Sequence, residues 1–463
     1  MGHKGKSALA VLQRNRMLWW MSLMGLVSCR VYGVLFLRRP AVLLPMDLFA
    51  IITLLVVITA LFSYWNTRFL KLPDSIGLTV ISLVYSLVII LAGSIFPGLV
   101  AMEKSFMGQI DFSEVLLDVM LCFLLFAGAF HTNFELLKKN ISSVTVFSVL
   151  GVLISTAVIG SLTYFIFELF FTPVPWLYCL LFGAIISPTD PIAVLSILTR
   201  SGVPEDVEIN IVGESLFNDG VGVVLFYLII STVQNGIPSN VGLEVLTHLV
   251  REAGGGILLG WALGMLGFYM LRKIDHYQSE VMITLALAMG GYELASVLHV
   301  SGPLCMVAGG LVTGHRSKAK AMSRQTAEYV DKFWVLIDGL LNAMLFVLIG
   351  LELVLIEFRP VYIWGGLMAI PITIIARFLA LWLPYVAMKK WIPAVNMKMI
   401  RLMTWGGLRG GLSIAMALSL KEPLPREGFV VMVFIVMAFS IIVQGLTVGK
   451  MARRLFGSQP GKK

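Results

Sequence analysis

The chain has 463 residues, of which 58% are hydrophobic and 13% are charged, whereas an ordinary soluble domain carries about 25% charged residues. This composition excludes a soluble globular protein and predicts an all-α polytopic membrane protein. The formal net charge of +9 reflects membrane topology and does not indicate nucleic-acid binding.

Residues 1–45 are predicted to form an N-terminal extension before a transmembrane domain over residues 46–450. The apolar run at residues 17–37 is interrupted by Arg30, and no small-residue cleavage site of a signal peptide follows it. This piece is either an additional helix or the result of an upstream start, in which case Met46 is the initiator.

About thirteen stretches of the transmembrane domain are candidate spans, since a span needs about 20 mostly apolar residues. They cover residues 48–64, 76–91, 115–130, 145–170, 176–198, 210–232, 251–271, 279–298, 302–314, 333–357, 361–388, 398–420 and 429–450. The loops after odd-numbered spans and the span ends that adjoin them, with the short basic tail 451–463, hold 21 of the 35 Lys and Arg residues, and the opposite side holds five. Because positively charged loops stay inside the cell, this asymmetry predicts a cytoplasmic C-terminus.

Two spans are predicted to be broken. The fifth contains Ser187-Pro-Thr-Asp-Pro191, and neither proline can donate a backbone hydrogen bond, so carbonyl oxygens should be left free at membrane depth. The twelfth contains the glycine-rich sequence Trp405-Gly-Gly-Leu-Arg-Gly-Gly411. Breaks at corresponding places suggest two inverted six-span repeats joined by the seventh span. Asp190 and Arg409 are expected to neutralise the half-helix ends; the alternative is that they contact a transported ion directly.

The sixth span carries the polar peptide Glu214-Ser-Leu-Phe-Asn-Asp219 inside an apolar helix. Its polar residues recur four apart and so gather on one face. An ionised Asp at the centre of a span costs roughly 2.5–3.5 kcal/mol and persists mainly where it faces a cavity or a mobile ion. Asp219 is therefore the predicted oxygen ligand of an alkali cation or a proton, with Asn218, Ser215 and Thr189 around it. A structural buried carboxylate is the alternative.

Arg377 lies within the apolar eleventh span, where an unpaired guanidinium is expensive. We expect it to pair with Glu214; the alternative is that it snorkels to the cytoplasmic end near Lys389. The four cysteines show no metal or disulfide spacing. No nucleotide-binding motif is evident, so no cofactor is expected beyond the transported cation and proton.

Seven stretches of the sequence match one family. They are Phe126-Ala-Gly-Ala-Phe-His131, Ser187-Pro-Thr-Asp-Pro191, Gly213-Glu-Ser-Leu-Phe-Asn-Asp219, Val300-Ser-Gly-Pro303, Leu348-Ile-Gly-Leu-Glu352, Trp405-Gly-Gly-Leu-Arg-Gly-Gly411 and Val443-Gln-Gly-Leu446. With them the chain resembles the NhaP-type sodium/proton antiporters, relatives of the animal Na+/H+ exchangers, over nearly its whole length after Met46. One departure is the sequence Leu125-Phe126-Ala127-Gly128, which lacks the acid that many members carry in the third span.

The resemblance implies an NhaA-like fold with about thirteen helices and a homodimer in the bacterial inner or plasma membrane. A dimer scaffold at about 48–130 and 279–357 and a moving core at about 145–232 and 361–450 are expected. The implied site residues are Asp219 as the shared ion and proton site, Asn218, Ser215, Thr189 and Asp190 beside it, the pair Glu214 and Arg377, and Arg409 in the glycine-rich break.

The implied activity is secondary transport, not enzyme catalysis. One monovalent cation is exchanged for one proton in an electroneutral cycle that serves pH homeostasis. The expected cation is Na+, and Li+ and K+ are the alternatives, since ligand geometry decides among the three. The alternatives are a passive cation channel and, more remotely, an intramembrane aspartyl protease that uses Asp190 and Asp219 as its dyad. The sequence lacks the Tyr-Asp and Gly-x-Gly-Asp contexts of such proteases.

Overall fold

The computed structural model describes residues 48–457, apart from residues 94, 109–110, 171–173, 237–242, 244–246, 358 and 422–423. The chain divides into two units, Met1–Ile51 and Ile52–Lys463. Only residues 48–51 of the first unit are described, so the prediction of an extension over residues 1–45 lies outside the described residues.

The regular structure in the described part of the chain is helical. The helices are α1 Leu48–Trp65, α2 Asp74–Ala92, α3 Pro97–Met107, α4 Leu121–His131, α5 Phe134–Lys139, α6 Ile141–Phe170, α7 Trp176–Ile186, α8 Ile192–Ser201, α9 Glu205–Asn235, α10 Gly255–Leu271, α11 Tyr277–Val297, α12 Gly302–Lys320, α13 Arg324–Glu352, α14 Pro360–Ala387, α15 Met397–Gly406, α16 Gly411–Leu418, α17 Arg426–Phe439 and α18 Gly445–Phe456. Short π-helical segments adjoin four of them: Asn66–Leu70 after α1, Val115–Met120 before α4, Leu249–Gly254 before α10, and Ser440–Gln444 between α17 and α18.

Ten helices of the described residues are long and apolar enough to cross a membrane. They coincide with the predicted spans 1–4, 6–8, 10, 11 and 13. The other three predicted spans correspond to the pair α7 and α8, to α12, and to the pair α15 and α16. The all-α polytopic class is therefore confirmed, and thirteen is an approximate count of its spans.

Polar side chains fix where several of these helices begin. The Asn133 side chain accepts hydrogen bonds from the backbone N–H groups of Glu135 and Leu136 at 3.1 and 3.2 Å and so caps α5. Asn396 accepts from the N–H of Met399 at 3.0 Å at the start of α15. Such caps satisfy N–H groups that have no partner within the helix.

The helices form two groups by their mutual contacts. In the first group, α6 packs against α7, α9 and α14, and α14 also packs against α17. In the second group, α12 packs against α4, α10 and α11, and α13 packs against α2. The first group falls in the part of the sequence expected to be the core and the second mostly in the expected scaffold. Movement of one group against the other stays a prediction.

Both helix breaks lie where the sequence predicts them. Residues 187–191 separate α7 from α8, and residues 407–410 separate α15 from α16. The first break is enforced by the two prolines, which cannot continue the hydrogen-bond ladder. The second consists of glycines around Leu408 and Arg409.

Candidate ion-binding site

The two breaks cross at one backbone hydrogen bond. The Asp190 N–H donates to the Leu408 carbonyl oxygen at 2.8 Å, and the two residues form an isolated antiparallel bridge. Gly410 lies directly against Asp190, because a Cβ at position 410 would be 2.6 Å from Asp190 Oδ2. No ordinary side chain approaches that closely, so this crossing depends on glycine at position 410.

The Arg409 guanidinium lies at the end of α7. Arg409 is 3% exposed, and its Nη1 donates to the carbonyl oxygens of Ser187 at 2.5 Å and Pro188 at 3.0 Å. The proline break leaves these carbonyls without intrahelical donors, and they form the negative end of the α7 dipole. The Arg409 backbone N–H donates to Ser440 Oγ at 3.1 Å, which ties the second break to the π-helical segment before α18.

Helix α9 is joined to the first break through its polar face. Asn218 Nδ2 donates to Thr189 Oγ1 at 2.8 Å, and the Thr189 N–H donates to Asn218 Oδ1 at 3.3 Å. The Ser215 hydroxyl donates to the Thr189 carbonyl oxygen. Each of these three residues is at most 3% exposed. Asn218 and Ser215 therefore hold the broken segment of α7 and α8 against the middle of α9.

Glu214 and Arg377 form a buried bidentate ion pair. Arg377 Nη1 and Nη2 donate to Glu214 Oε1 and Oε2, each at 2.5 Å, and the two residues are 5% and 1% exposed, respectively. Glu214 Oε1 also accepts a hydrogen bond from Asn218 Nδ2 at 3.2 Å. Gly407 packs against the same guanidinium, since a Cβ at position 407 would lie 2.6 Å from Arg377 Nε. The pair thus connects α9, α14 and the second break.

Asp219 takes no part in the hydrogen bonds and the ion pair described above, and it faces a cavity of about 690 Å³. Its side chain is partly exposed, and no residue in the described part of the chain donates a hydrogen bond to it or pairs with its charge. The cavity is also lined by Thr189 and Asp190 from the first break and by Gly410 and Ser413 from the second break and α16. Asp219 is therefore a carboxylate in the middle of α9 that an ion in the cavity can reach and that the described part of the protein leaves without a charge partner.

The cavity extends from Asp219 to one end of the molecule. Its lining includes Glu205 and Glu208 in the first turn of α9 and His131 and Thr132 at the end of α4. Asp219 lies 14 residues beyond Glu205, which is about 21 Å along a helix axis at about 1.5 Å per residue. The cavity therefore spans the distance from the first turn of α9 to Asp219 in its middle.

The lining of this cavity is acidic. It contains five carboxylates and no Lys or Arg among the described residues: Asp190, Glu205, Glu208, Asp219 and Asp338. A cavity with one sign of charge and apolar walls concentrates ions of the opposite sign. Oxygen is the only ligand type that the two breaks and α9 present to it, and such ligands suit alkali cations and protons.

The sequence predictions did not include several polar lining residues, among them Glu205 and Glu208 of α9, Asp338 of α13 and Ser413 of α16. The signal for Asp338 was available, because an acid within an apolar span marks a functional site by default. For Ser413 the sequence offers no comparable signal. Leu125, in the segment that lacks the third-span acid, also lines the cavity.

Comparison with known proteins identifies the family. The family model described as "Sodium/hydrogen exchanger, transmembrane" matches residues 56–454. The chain belongs to the sodium/hydrogen exchanger family. Within this family, it is 43% identical over 412 residues to the Na(+)/H(+) antiporter NhaP of Pseudomonas aeruginosa, a match that covers 88% of this chain and 97% of the relative.

Other members of the exchanger family are similar over most of their length. The Na(+)/H(+) antiporter NhaH of Halobacillus dabanensis is 33% identical, with 84% of this chain and 93% of the relative covered. Among solved structures, the sodium proton antiporter MjNhaP1 of Methanocaldococcus jannaschii matches with a TM-score of 0.69 at 22% identity, over 89% of this chain and all of that one. The fold of this exchanger-family chain is therefore the fold of a solved antiporter.

Proposed function

We propose that this chain is a secondary antiporter that exchanges a monovalent cation, Na+ in the first instance, for a proton. The observation that carries the proposal is Asp219: a carboxylate in the middle of a spanning helix, without a protein partner among the described residues, on an acidic cavity. An unneutralised charge there is unfavourable in a membrane, so the carboxylate needs either a proton or a cation from the cavity. The family and the names of its relatives support the same substrates.

Exchange follows from the fact that one carboxylate serves both substrates. A protonated Asp219 cannot also hold a cation, and a bound cation excludes the proton. Each half-cycle therefore carries one positive charge with Asp219, which makes a one-for-one cycle electroneutral. Thr189, Ser215 and Asn218 position the break beside Asp219, and Thr189 Oγ1 is the neutral oxygen best placed on the cavity to help bind the cation.

The buried charges around Asp219 keep the crossing intact in this proposal. Glu214 and Arg377 neutralise one another, and Arg409 neutralises the carbonyl end of α7. Asp190, whose backbone joins the two breaks, also lines the cavity and contributes negative charge to it. Because these groups are already paired or embedded in the crossing, Asp219 is the group that binds the transported cation and proton in this proposal.

The positive-inside pattern supports a cytoplasmic opening for the cavity. The cavity ends near the start of α9 and the loop before α5, and α5 carries Lys138 and Lys139 in its last turn. Lys139 Nζ lies 3.1 Å from Asp206 Oδ1 at that end. Basic residues mark the cytoplasmic face, and the C-terminus is proposed to lie on the same side. The homodimer implied by the family resemblance stays a prediction.

Uphill transport tests the proposal. Purified protein in liposomes receives an outward Na+ gradient with no initial pH difference, and an internal pH dye follows protons; an exchanger must acidify the interior against the proton gradient that develops. We expect such acidification from the native chain and its loss in Asp219→Asn, since the amide can neither release a proton nor neutralise a cation. Glu328→Gln, on the exposed face of α13 where Glu328 pairs with Lys332, is the control that retains activity.

Two results would contradict the proposal. Acidification that stops when the membrane potential is clamped, with no exchange of Na+ for protons, would indicate a passive cation channel instead. Retained exchange in a folded Asp219→Asn protein would remove Asp219 from the site. Replacing Na+ by Li+ and K+ in the same assay identifies the cation.

A further inference from the structure

Asp338 is a second membrane-embedded carboxylate on the same cavity as Asp219. It lies in the interior of the 29-residue helix α13 and lines the cavity together with Leu345, two turns further along the same face. Helix α13 touches the second break there, because a Cβ at Gly411 would be 2.5 Å from Leu345 Cδ1. Asp338 is thus an acid at membrane depth that neither the crossing of the breaks nor the Glu214–Arg377 pair requires.

Asn342 stands between Asp338 and Leu345 on this face of α13. Its Nδ2 donates to Asp338 Oδ1 at 3.0 Å and to the Asp338 carbonyl oxygen at 2.9 Å. Asn342 is 6% exposed, and its Oδ1 is buried without a hydrogen-bond partner in the described part of the chain. A buried acceptor left without a donor destabilises the folded state, and a cation beside it would offset that cost.

Ser413 supplies another buried oxygen from the opposite helix. It is 1% exposed, lines the cavity from α16, and its Oγ has no hydrogen-bond partner among the described residues. The Asp338 carboxylate and the Ser413 hydroxyl therefore line the cavity, and Asn342, which is hydrogen-bonded to that carboxylate, adds a buried amide oxygen. Neither the hydroxyl nor the amide oxygen has a hydrogen-bond partner among the described residues. This combination of hard oxygen ligands is the kind that alkali cations bind.

We infer that Asp338, Asn342 and Ser413 form a second subsite for the transported monovalent cation, between α13 and α16. A cation held there is already inside the cavity that Asp219 lines, so the subsite raises the rate at which Asp219 is loaded at a given Na+ concentration. Asp338 is the charged ligand, Ser413 a neutral ligand, and Asn342 both orients the carboxylate and offers its own oxygen. The inference rests on the proposed antiport, because it assigns the cation's position before it reaches Asp219.

The test compares Na+-dependent exchange rates in proteoliposomes at constant ionic strength, with choline replacing Na+. A subsite that binds the cation without taking part in its translocation affects the KM and leaves the maximal rate unchanged. We expect Asp338→Asn to raise the KM for Na+ about tenfold and Ser413→Ala about threefold, with maximal rates within about twofold of the native value. Asp338→Glu, which keeps the charge, should restore most of the affinity. Glu328→Gln, on the same helix but outside the cavity, is the matched control.

A second measurement observes binding without transport. Thermal unfolding of detergent-purified Asp219→Asn protein is recorded in NaCl and in choline chloride, because a ligand that binds only the folded state raises the melting temperature. We expect Na+ to stabilise this variant and to lose that effect when Asp338→Asn is added. If Asp338→Asn does not fold, Ser413→Ala takes its place in both measurements.

Three outcomes would overturn the inference: an unchanged KM in folded Asp338→Asn and Ser413→Ala, a loss of maximal rate at unchanged KM, or the same KM change in Glu328→Gln. If the proposed antiport is wrong, the result is different: the native chain itself then shows no uphill proton movement. In that case Na+ stabilisation of the Asp219→Asn protein still decides whether the subsite exists.

Discussion

A guanidinium inside a membrane protein needs a group of opposite charge, and Arg377 has one in Glu214. Nη1 and Nη2 of Arg377 each donate a hydrogen bond to one oxygen of the Glu214 carboxylate, at 2.5 Å. Arg409 differs, because its Nη1 partners are the neutral carbonyls of Ser187 and Pro188. Removing Arg377 leaves a buried charge uncompensated, whereas removing Arg409 leaves only carbonyl oxygens without their donor.

This difference predicts unequal losses of stability. Arg377→Ala should cost about 3–5 kcal/mol, as is typical when one partner of a buried ion pair is removed, and Arg409→Ala about 1–3 kcal/mol for unsatisfied acceptors. Glu214→Gln combined with Arg377→Met should be more stable than the sum of the two single changes indicates, since no charge is stranded. Melting temperatures of five detergent-purified variants check this: Arg377→Ala, Arg409→Ala, Glu214→Gln, Arg377→Met and the Glu214→Gln/Arg377→Met double variant. Additive single changes would contradict direct coupling of Glu214 to Arg377.

Much of the site could be predicted residue by residue because charge is rare in an apolar span. An unpaired Arg377 inside a span would be energetically unfavourable, and this consideration predicted Glu214, 163 residues away, as its partner without any knowledge of the fold. Asp338 was also visible in the sequence, but its place on the cavity depends on which face of α13 meets the breaks. The spacing of four residues indicated that Asn218 lies beside Glu214, but the sequence gives no sign that Asn218 also hydrogen-bonds to Thr189.

At the scale of the helices, the crossing of two broken elements brings the site together. The prolines at 188 and 191 and the glycines at 406–411 predicted both breaks, because neither residue type favours a continuous helix. The pairing of Asp190 with Leu408 depends on tertiary structure, so no local pattern could give it. Span limits were also only approximate: α9 covers Glu205–Asn235, where the apolar pattern predicted residues 210–232.

The close contact at Gly410 makes this crossing sensitive to a single methyl group. In Gly410→Ala the new Cβ would be 2.6 Å from both Asp190 Cβ and Asp190 Oδ2, so one break must move away from the other. We expect the exchange rate to fall at least about tenfold and the free energy of unfolding to fall by about 1–3 kcal/mol, the usual cost of overpacking.

Gly339→Ala is the matched control for this change. Gly339 lies within α13 one residue after Asp338, and a Cβ there meets nothing within 4 Å. An alanine in a helix interior is more favourable than glycine by roughly 0.5–1 kcal/mol, so Gly339→Ala should keep or raise the melting temperature and keep exchange. Equal behaviour of the two variants in exchange and thermal unfolding would contradict the close crossing.

At the scale of the whole molecule, charge is separated between the cavity and the loops. The cavity is lined by carboxylates, while the loops on one side of the predicted topology hold 21 of the 35 Lys and Arg residues. The basic loops are predicted to orient the protein in the membrane, and in the proposed antiport the acidic cavity attracts cations to Asp219. The positions of Lys and Arg along the sequence indicated the basic loops. The acidic cavity could be recognised only after the helices were placed around it.

The central claim is that one carboxylate, Asp219, holds either the cation or the proton. The most direct measurement is the KM for Na+ in proteoliposome exchange at a series of pH values on the Na+ side, with the pH on the opposite side held constant so that the supply of protons for the return step does not change. Competition predicts that the KM rises as the pH falls, approaching about tenfold per pH unit where Asp219 is mostly protonated, while the maximal rate at saturating Na+ stays constant. A maximal rate that falls with pH at an unchanged KM would contradict the claim, because protons would then act at a group that the cation does not occupy.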